Sequence, residues 1–353
     1  MGDKNKNNRI LLAGGAVLVV IAYLVSNSYY QKIMKDAGVG EEPGKTRDYQ
    51  FEMIVDSPNS AFWQAVYKSA QNTADNHNVL LELKGTNWDA EYDKIDFMNM
   101  SIAARVDGII LEYNGEAGLE EKINEAVANG IPVVTVMSDA PHSQRQSFVG
   151  VSDYQLGVGY GEQVANYMDE VGTKGNVLIL MKRNLDDMNQ SQIITQIRNT
   201  AMEKAEDPDQ IEVNGQNLLS AGTFDSEEAI WDILQQGTIP DILVCMDAES
   251  TESARQAVID YNLTDKVKII GYYTSEKIMK GVLKGLIPVT CSIDTDQLGR
   301  YSVEALTEYL EEGRVNSYYT VDMEFVTTEA AEKMERSEES GEEDPIEEPV
   351  SGE

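Results

Sequence analysis

From Tyr49 to about Thr328, short apolar runs of strand character alternate with stretches of helical period, and this alternation constrains the chain more than any other feature. Phe51–Val55, Val79–Lys84, Gly108–Leu111 and Pro132–Met137 read as strands, with Ser60–Asn76, Ala90–Ala104 and Glu116–Asn129 as the helices between them. A helix between two strands brings the second back in the direction of the first, so the sheet is parallel and covered on both faces. After Ser138–Gln146 the pattern restarts with the helix Tyr154–Glu170. It continues through Val177–Met181, Met188–Ala205, Ile211–Val213, Ser226–Gln236, Ile242–Met246, Ser250–Tyr261 and Val267–Tyr272. The helix Ser275–Lys284, the apolar segment Val289–Ile293, the helix Thr295–Glu312 and a β-like stretch Tyr318–Val326 close the series. The expected architecture is α/β, two lobes with a cleft between them.

The ends behave differently. Lys4, Lys6 and Arg9 precede the apolar run Ile10–Val25, which is followed by Ser26-Asn27-Ser28 and the pair Tyr29-Tyr30. Extended through Tyr30, this segment reaches the roughly 20 residues a spanning helix needs, with an aromatic belt at the interface. Residues 1–30 are therefore a signal anchor, or a signal peptide cleaved near Ser26 and Ser28; no cysteine follows for lipidation. Either way the basic flank stays in the cytoplasm and the remainder lies outside. Residues 31–48 read as a linker, and 331–353 as an acidic tail too poor in apolar side chains to offset the entropy of ordering. The net charge of −33 repels phosphate backbones, which argues against a nucleic-acid partner. Cys245 and Cys291 both sit in apolar runs and are expected to be buried thiols.

Open α/β sheets bind ligands beyond the carboxyl ends of their strands, so the loops that follow the strands are where a site should form. After the first strand come Asn59, Phe62 and Trp63: Asn59 or Ser60 caps the next helix, and an indole in its first turn can stack on the C–H face of a sugar ring. Glu112 and Asn114 follow the third strand, and Ser138 and Asp139 the fourth. In the second half the corresponding candidates are Gln190, Ser191, Phe224, Asp247 and Tyr273. Carboxylates and amides with aromatic faces suit a ligand rich in hydroxyls, each carboxylate accepting from two donors. Catalytic patterns are missing. His77 and His142 have no ligand spacing around them, Gly157, Gly159 and Gly161 lack the strand of a phosphate loop, and no nucleophile elbow appears. The expectation is a binding protein without cofactor or metal, not an enzyme.

The stretch from about Tyr49 to Thr328 resembles the periplasmic sugar-binding proteins of the ribose- and galactose-binding type, whose fold is also the effector domain of Lac-repressor-like regulators. The resemblance is carried by Ser57-Pro58-Asn59-Ser60-Ala61-Phe62-Trp63, Val106-Asp107-Gly108-Ile109-Ile110-Leu111 and Ala128-Asn129-Gly130-Ile131-Pro132-Val133-Val134. Val149-Gly150-Val151-Ser152-Asp153 with Leu156-Gly157, Phe224-Asp225, Val267-Lys268-Ile269-Ile270-Gly271-Tyr272 and Asp296-Gln297-Leu298-Gly299 add to it. It implies the type I binding-protein architecture: two Rossmann-like lobes joined by three crossings, near Ser152-Asp153, near Ser292–Asp294 and after Glu312. The N-terminal lobe is then 49–152 plus about 294–312, and the C-terminal lobe 153–293 plus about 313–330. The resemblance also implies that Phe62 and Trp63 take the place of an aromatic pair that stacks on sugar. The chain departs from the family where Met137-Ser138-Asp139 lacks an arginine, where Asp247 replaces an asparagine, and where Tyr273 replaces an aspartate. The position of a further family arginine falls near Gln190–Ser191.

The function these observations imply is an extracytoplasmic, monomeric receptor that closes around a small neutral or cationic, sugar-like solute. One reading is delivery to an ABC permease; the alternative is a membrane-anchored sensor that reports to a histidine kinase. A transcriptional regulator is excluded because residues 1–48 hold an apolar segment in place of a helix-turn-helix.

Overall fold

The structure, a computed structural model, describes Tyr23 and residues 47–85, 92–171, 175–181, 188–205, 211–218, 223–236 and 239–340. The chain divides into two units, Met1–Asp48 and Tyr49–Glu353. Tyr23 apart, the apolar run Ile10–Val25 and the linker up to residue 46 lie outside the described residues, as does 341–353. Among the described residues no helix is long and apolar enough to cross a membrane.

Tyr49–Glu353 holds two sheets. The first is built from β1 (Tyr49–Val55), β2 (Val79–Gly85), β3 (Gly108–Glu112), β4 (Val133–Val136), β5 (Ser147–Gly150) and β11 (Tyr318–Thr320), in the order β11-β5-β4-β3-β1-β2 with every pair parallel. The second contains β6 (Gly175–Met181), β7 (Ile211–Asn217), β8 (Ile242–Cys245), β9 (Lys268–Tyr272), β10 (Val289–Ile293) and β12 (Met323–Thr327), ordered β12-β10-β9-β8-β6-β7. Only β12 runs antiparallel in it. In the first lobe the strands alternate with α1 (Ala61–Asn76), α2 (Lys94–Ala104) and α3 (Leu119–Ala128). In the second they alternate with α4 (Asp153–Val171), α5 (Met188–Lys204), α6 (Thr223–Gln236), α7 (Ala248–Asp260) and α8 (Glu276–Leu283). The helix α9 (Thr295–Glu312) returns to the first lobe, where it packs on α1. β8, and β3 up to Leu111, are apolar throughout because helices cover both faces.

The chain passes between sheets after Gly150, at Asp294 and at Val321-Asp322. The last passage corrects the sequence reading in which 313–330 belongs to the second lobe. The β-like stretch 318–326 is two strands: β11 pairs with β5 in the first sheet, and β12 with β10 in the second. Asp322 stands at the break, where its N–H donates to Gln297 Oε1 at 3.0 Å and its carboxylate accepts from Gln297 Nε2 at 2.6 Å. A second correction concerns the end of order. Helix α10 (Thr328–Ser340) continues past residue 331, because Ala331 is buried in the second lobe and Thr328 Oγ1 donates to Val282 O in α8 at 3.2 Å. One small apolar face among acidic residues suffices to hold that helix.

The glycines of α4 serve packing. A Cβ on Gly157 would meet Gln196 Cβ at 2.6 Å, and one on Gly161 would meet Thr200 Cβ at 2.5 Å and Ile197 O at 2.8 Å, so α4 and α5 touch almost backbone to backbone. Gly299 of α9 plays the same part in the first lobe, where a Cβ would lie 2.3 Å from Val66 O of α1. Gly299→Ala should therefore destabilise the protein by about 1–3 kcal/mol, since backbone cannot rotate out of the way as a side chain can. A urea midpoint lowered at constant m-value is the expected result; an unchanged midpoint would show that the helices separate at little cost.

Candidate functional site

In each sheet the strand order reverses once, between β1 and β3 in the first and between β6 and β8 in the second. Loops leaving the carboxyl ends on either side of such a reversal diverge and leave a crevice. The two crevices face each other across a cavity of about 140 Å³, room for about five waters. The first lobe contributes Asp56, Ser57 and Ser60 after β1, Phe62 and Trp63 from α1, Glu112 and Asn114 at the end of β3, and Met137 after β4. The second contributes Met181 at the end of β6, Met246, Asp247, Ala248 and Glu249 after β8, and Tyr272 at the end of β9. Asp153 and Leu156 of α4 and Ile193 of α5 complete it.

Local sequence explains how several of these are held. Ser60 caps α1, its Oγ accepting from Trp63 N–H at 3.2 Å, so the aromatic pair stands in the first turn, facing the cleft. Asp247 caps α7 in the same way and accepts from Ser250 N–H at 2.8 Å. Asp56 N–H donates to Glu112 Oε2 at 2.6 Å, which ties the ends of β1 and β3 together. Beneath them Lys94 of α2, its side chain only 1% exposed, donates from Nζ to Asp56 Oδ2 at 2.7 Å and to Glu112 O at 3.3 Å. Asn114 Nδ2 donates to the same Oδ2 at 3.3 Å. Close by, burial holds the Glu116 carboxyl above its ordinary range, with Lys94 opposing the effect and Asp56 and Asp93 adding to it.

Two backbone positions shape the walls. Met137 and Tyr273 take positive φ, 69° and 74°, at equivalent places just beyond β4 and β9. Each N–H then donates to the neighbouring strand, Met137 to Val149 O at 3.2 Å and Tyr273 to Cys291 O at 2.6 Å. A left-handed conformation is costly for residues with side chains and persists only where surrounding contacts enforce it. The lobes also touch directly. Ser57 Oγ donates to Glu249 Oε2 at 3.2 Å, Tyr272 O–H to Met137 Sδ at 3.8 Å and Tyr273 O–H to Ala61 O at 3.4 Å. Phe62 meets Tyr272 and Tyr273 edge-on, with ring centroids 5.9 and 5.2 Å apart. These contacts describe a closed cleft.

Phe62, Trp63, Glu112, Asn114 and Asp247 among the sequence candidates line the cavity. Asn59 does not; it is exposed, and the cap it shared with Ser60 in the sequence reading is formed by Ser60. Ser138 is buried outside the lining, and Asp139 is gripped by the Arg145 guanidinium, Nη2 to Oδ2 at 2.7 Å, while Arg145 also reaches Ser317 O at 3.1 Å. The ion pair fastens the loop after β4 to Ser317, the residue before β11, and holds Asp139 outside the cavity lining. Tyr273 gives up the wall to Tyr272 because its left-handed backbone turns it onto Phe62. The side chains of Gln190, Ser191 and Phe224 lie outside the described residues. Sequence reasoning missed Asp56, Asp153, Glu249, Tyr272 and the three methionines 137, 181 and 246.

Cys245 and Cys291 are free and buried, and burial pushes both thiols up, that of Cys291 to about 12, which disfavours the thiolate. Among the described residues no group of three or more His, Cys, Asp or Glu side chains could hold a metal.

Residues 51–314 match the family of the periplasmic binding protein domain. No curated protein matches the chain. Among solved structures, the glucose-galactose binding protein GanP from Geobacillus stearothermophilus aligns with a TM-score of 0.70 and 22% identity, over 80% of this chain and 99% of that one. The XylFII-LytSN complex gives 0.69 and 23%, over 81% and 100%. AraP, an arabinose binding protein from Geobacillus stearothermophilus, gives 0.62 and 21%, over 81% and 99%. What these structures share with the chain is the fold: two α/β lobes of the type I binding-protein architecture.

Proposed function

This chain belongs to the periplasmic binding protein domain family, and we propose that it is an extracytoplasmic receptor that closes around a small, neutral or cationic, sugar-like solute. The observation that carries the reading is the composition of the cavity wall. Five carboxylates, Asn114 and two serines offer hydrogen-bond partners, while Phe62, Trp63 and Tyr272 offer flat apolar faces, and among the described residues the lining holds no lysine, arginine, histidine or cysteine. That combination fits alternating hydroxyl and C–H surfaces and disfavours an anion. Among the described residues of the lining there is no paired nucleophile and base of the kind catalysis uses.

Delivery to an ABC permease is the first role, in keeping with the likeness to GanP, a glucose-galactose binding protein, and AraP, an arabinose binding protein. The second, a sensor working with a membrane histidine kinase, is favoured by the likeness to XylFII in complex with LytSN and by the apolar run Ile10–Val25, which suits a tether. In both roles closure is the signal, and the ligand's preference for the closed form sets how far the population shifts.

A calorimetric screen of neutral sugars, polyols, amino sugars and sugar phosphates tests the reading. Binding of a neutral or amino sugar with sugar phosphates at least tenfold weaker is expected; tightest binding to a sugar phosphate, or none to any member, would overturn it. Co-purification from membranes, with permease subunits or with a kinase, separates the two roles.

A further inference from the structure

We infer that Lys94 tunes the charge preference of the cavity, offsetting Asp56 from behind and so moving the preference away from a cationic ligand towards its neutral hydroxylated analogue. The inference rests on the sugar-like ligand proposed above. Lys94 ties the ends of β1 and β3 together, yet its charge is costly where it stands. It is the first residue of α2, where the partial positive charge of a helix N-terminus disfavours a cation, and it is among the largest fully buried side chains of the protein. Met98, one turn further along α2, belongs to the apolar core of this lobe, and an unbranched apolar side chain at position 94 would avoid the desolvation of a buried ammonium group.

The buried ammonium is aimed instead at the cavity wall. Its Nζ and Asn114 Nδ2 converge on one oxygen of Asp56, whose side chain remains 43% exposed and lines the cavity. Two donors on a single oxygen fix the carboxylate's orientation. The positive charge behind it also opposes the field of the acids gathered here: Asp56, Glu112, Asp153, Asp247 and Glu249 in the wall, and Glu116 and Asp93 beside Lys94. Lys94 is therefore a positioning residue and a specificity determinant, acting on the ligand through Asp56.

The test compares D-glucose with D-glucosamine and D-galactose with D-galactosamine, by calorimetry at one pH and ionic strength, on the full chain. For Lys94→Met, the ratio of neutral-sugar to amino-sugar affinity should move by about tenfold or more towards the amino sugar, since a unit charge is lost at short range in a partly desolvated site. Lys94→Gln keeps a donor for Asp56 and Glu112 O while losing the charge; it should fold where methionine does not and show the same shift. Adding Asp56→Asn to either variant should return the ratio to within about threefold of the original. A merely structural lysine would weaken both sugars of a pair together and leave the ratio unchanged, which would overturn the inference alone. Failure of every sugar to bind the unsubstituted protein would overturn the proposed function and this inference with it.

Discussion

Asp56→Ala should destabilise the protein by about 3–5 kcal/mol, because it strands Lys94 inside the first lobe. Most surface ion pairs contribute about 0–1 kcal/mol, and Asp56 taken alone, with a side chain 43% exposed, would belong to that class. The cost comes from its partner. With Lys94 only 1% exposed, loss of the carboxylate leaves an ammonium group whose remaining hydrogen bond is to the carbonyl of Glu112 at 3.3 Å, with the Glu116 carboxyl near it. That contact, and the water that the shortened side chain admits, place the expected value at the lower end of the range. Urea denaturation at constant pH measures it, and pairing Asp56→Ala with Lys94→Met should recover more than half of the loss. A single-variant cost within 1 kcal/mol would mean that the lysine finds another anion.

Trp63→Ala should act on both stability and binding. The indole is 4% exposed and meets Phe62 edge-on, with ring centroids 5.1 Å apart, so its removal opens a void between α1 and the core. Full truncations of buried tryptophan cost about 3–5 kcal/mol, and because one side of the ring lines the cavity, about 3 kcal/mol is expected. Affinity for a neutral sugar should fall at least tenfold, the stack contributing on the order of 1 kcal/mol beyond the area it covers. Trp63→Phe separates the two effects, since it retains a ring face and should keep most of the stability while losing part of the affinity. Undiminished sugar affinity in a folded Trp63→Ala protein would remove Trp63 from the site.

Much of this could be read before any coordinates, and the reason differs from element to element. Strand and helix positions followed from local periodicity, as with the buried run Phe51–Val55 and the capped helix that follows it. Trp63, Glu112, Asn114 and Asp247 were accessible because each stands just past a strand or opens the next helix, where an α/β sheet must form its crevice. Asp139 and Tyr273 stand in equally good sequence positions and were misplaced. Asp139 is drawn off by Arg145, and Tyr273 by a backbone turn whose φ of 74° no local pattern announces.

What the sequence determined by itself is the alternation, and with it parallel sheets, two lobes and a cleft at the strand ends; these depend on short-range periods of two and 3.6 residues that every segment carries within itself. The split of 318–326 between two sheets, the docking of the start of α10 against α8, the close crossing of α4 with α5 and the placement of Lys94 beneath Asp56 were decided only in three dimensions. Each joins residues tens of positions apart, such as Lys94 and Asp56 across 38, and such pairing depends on which faces the folded lobes bring together.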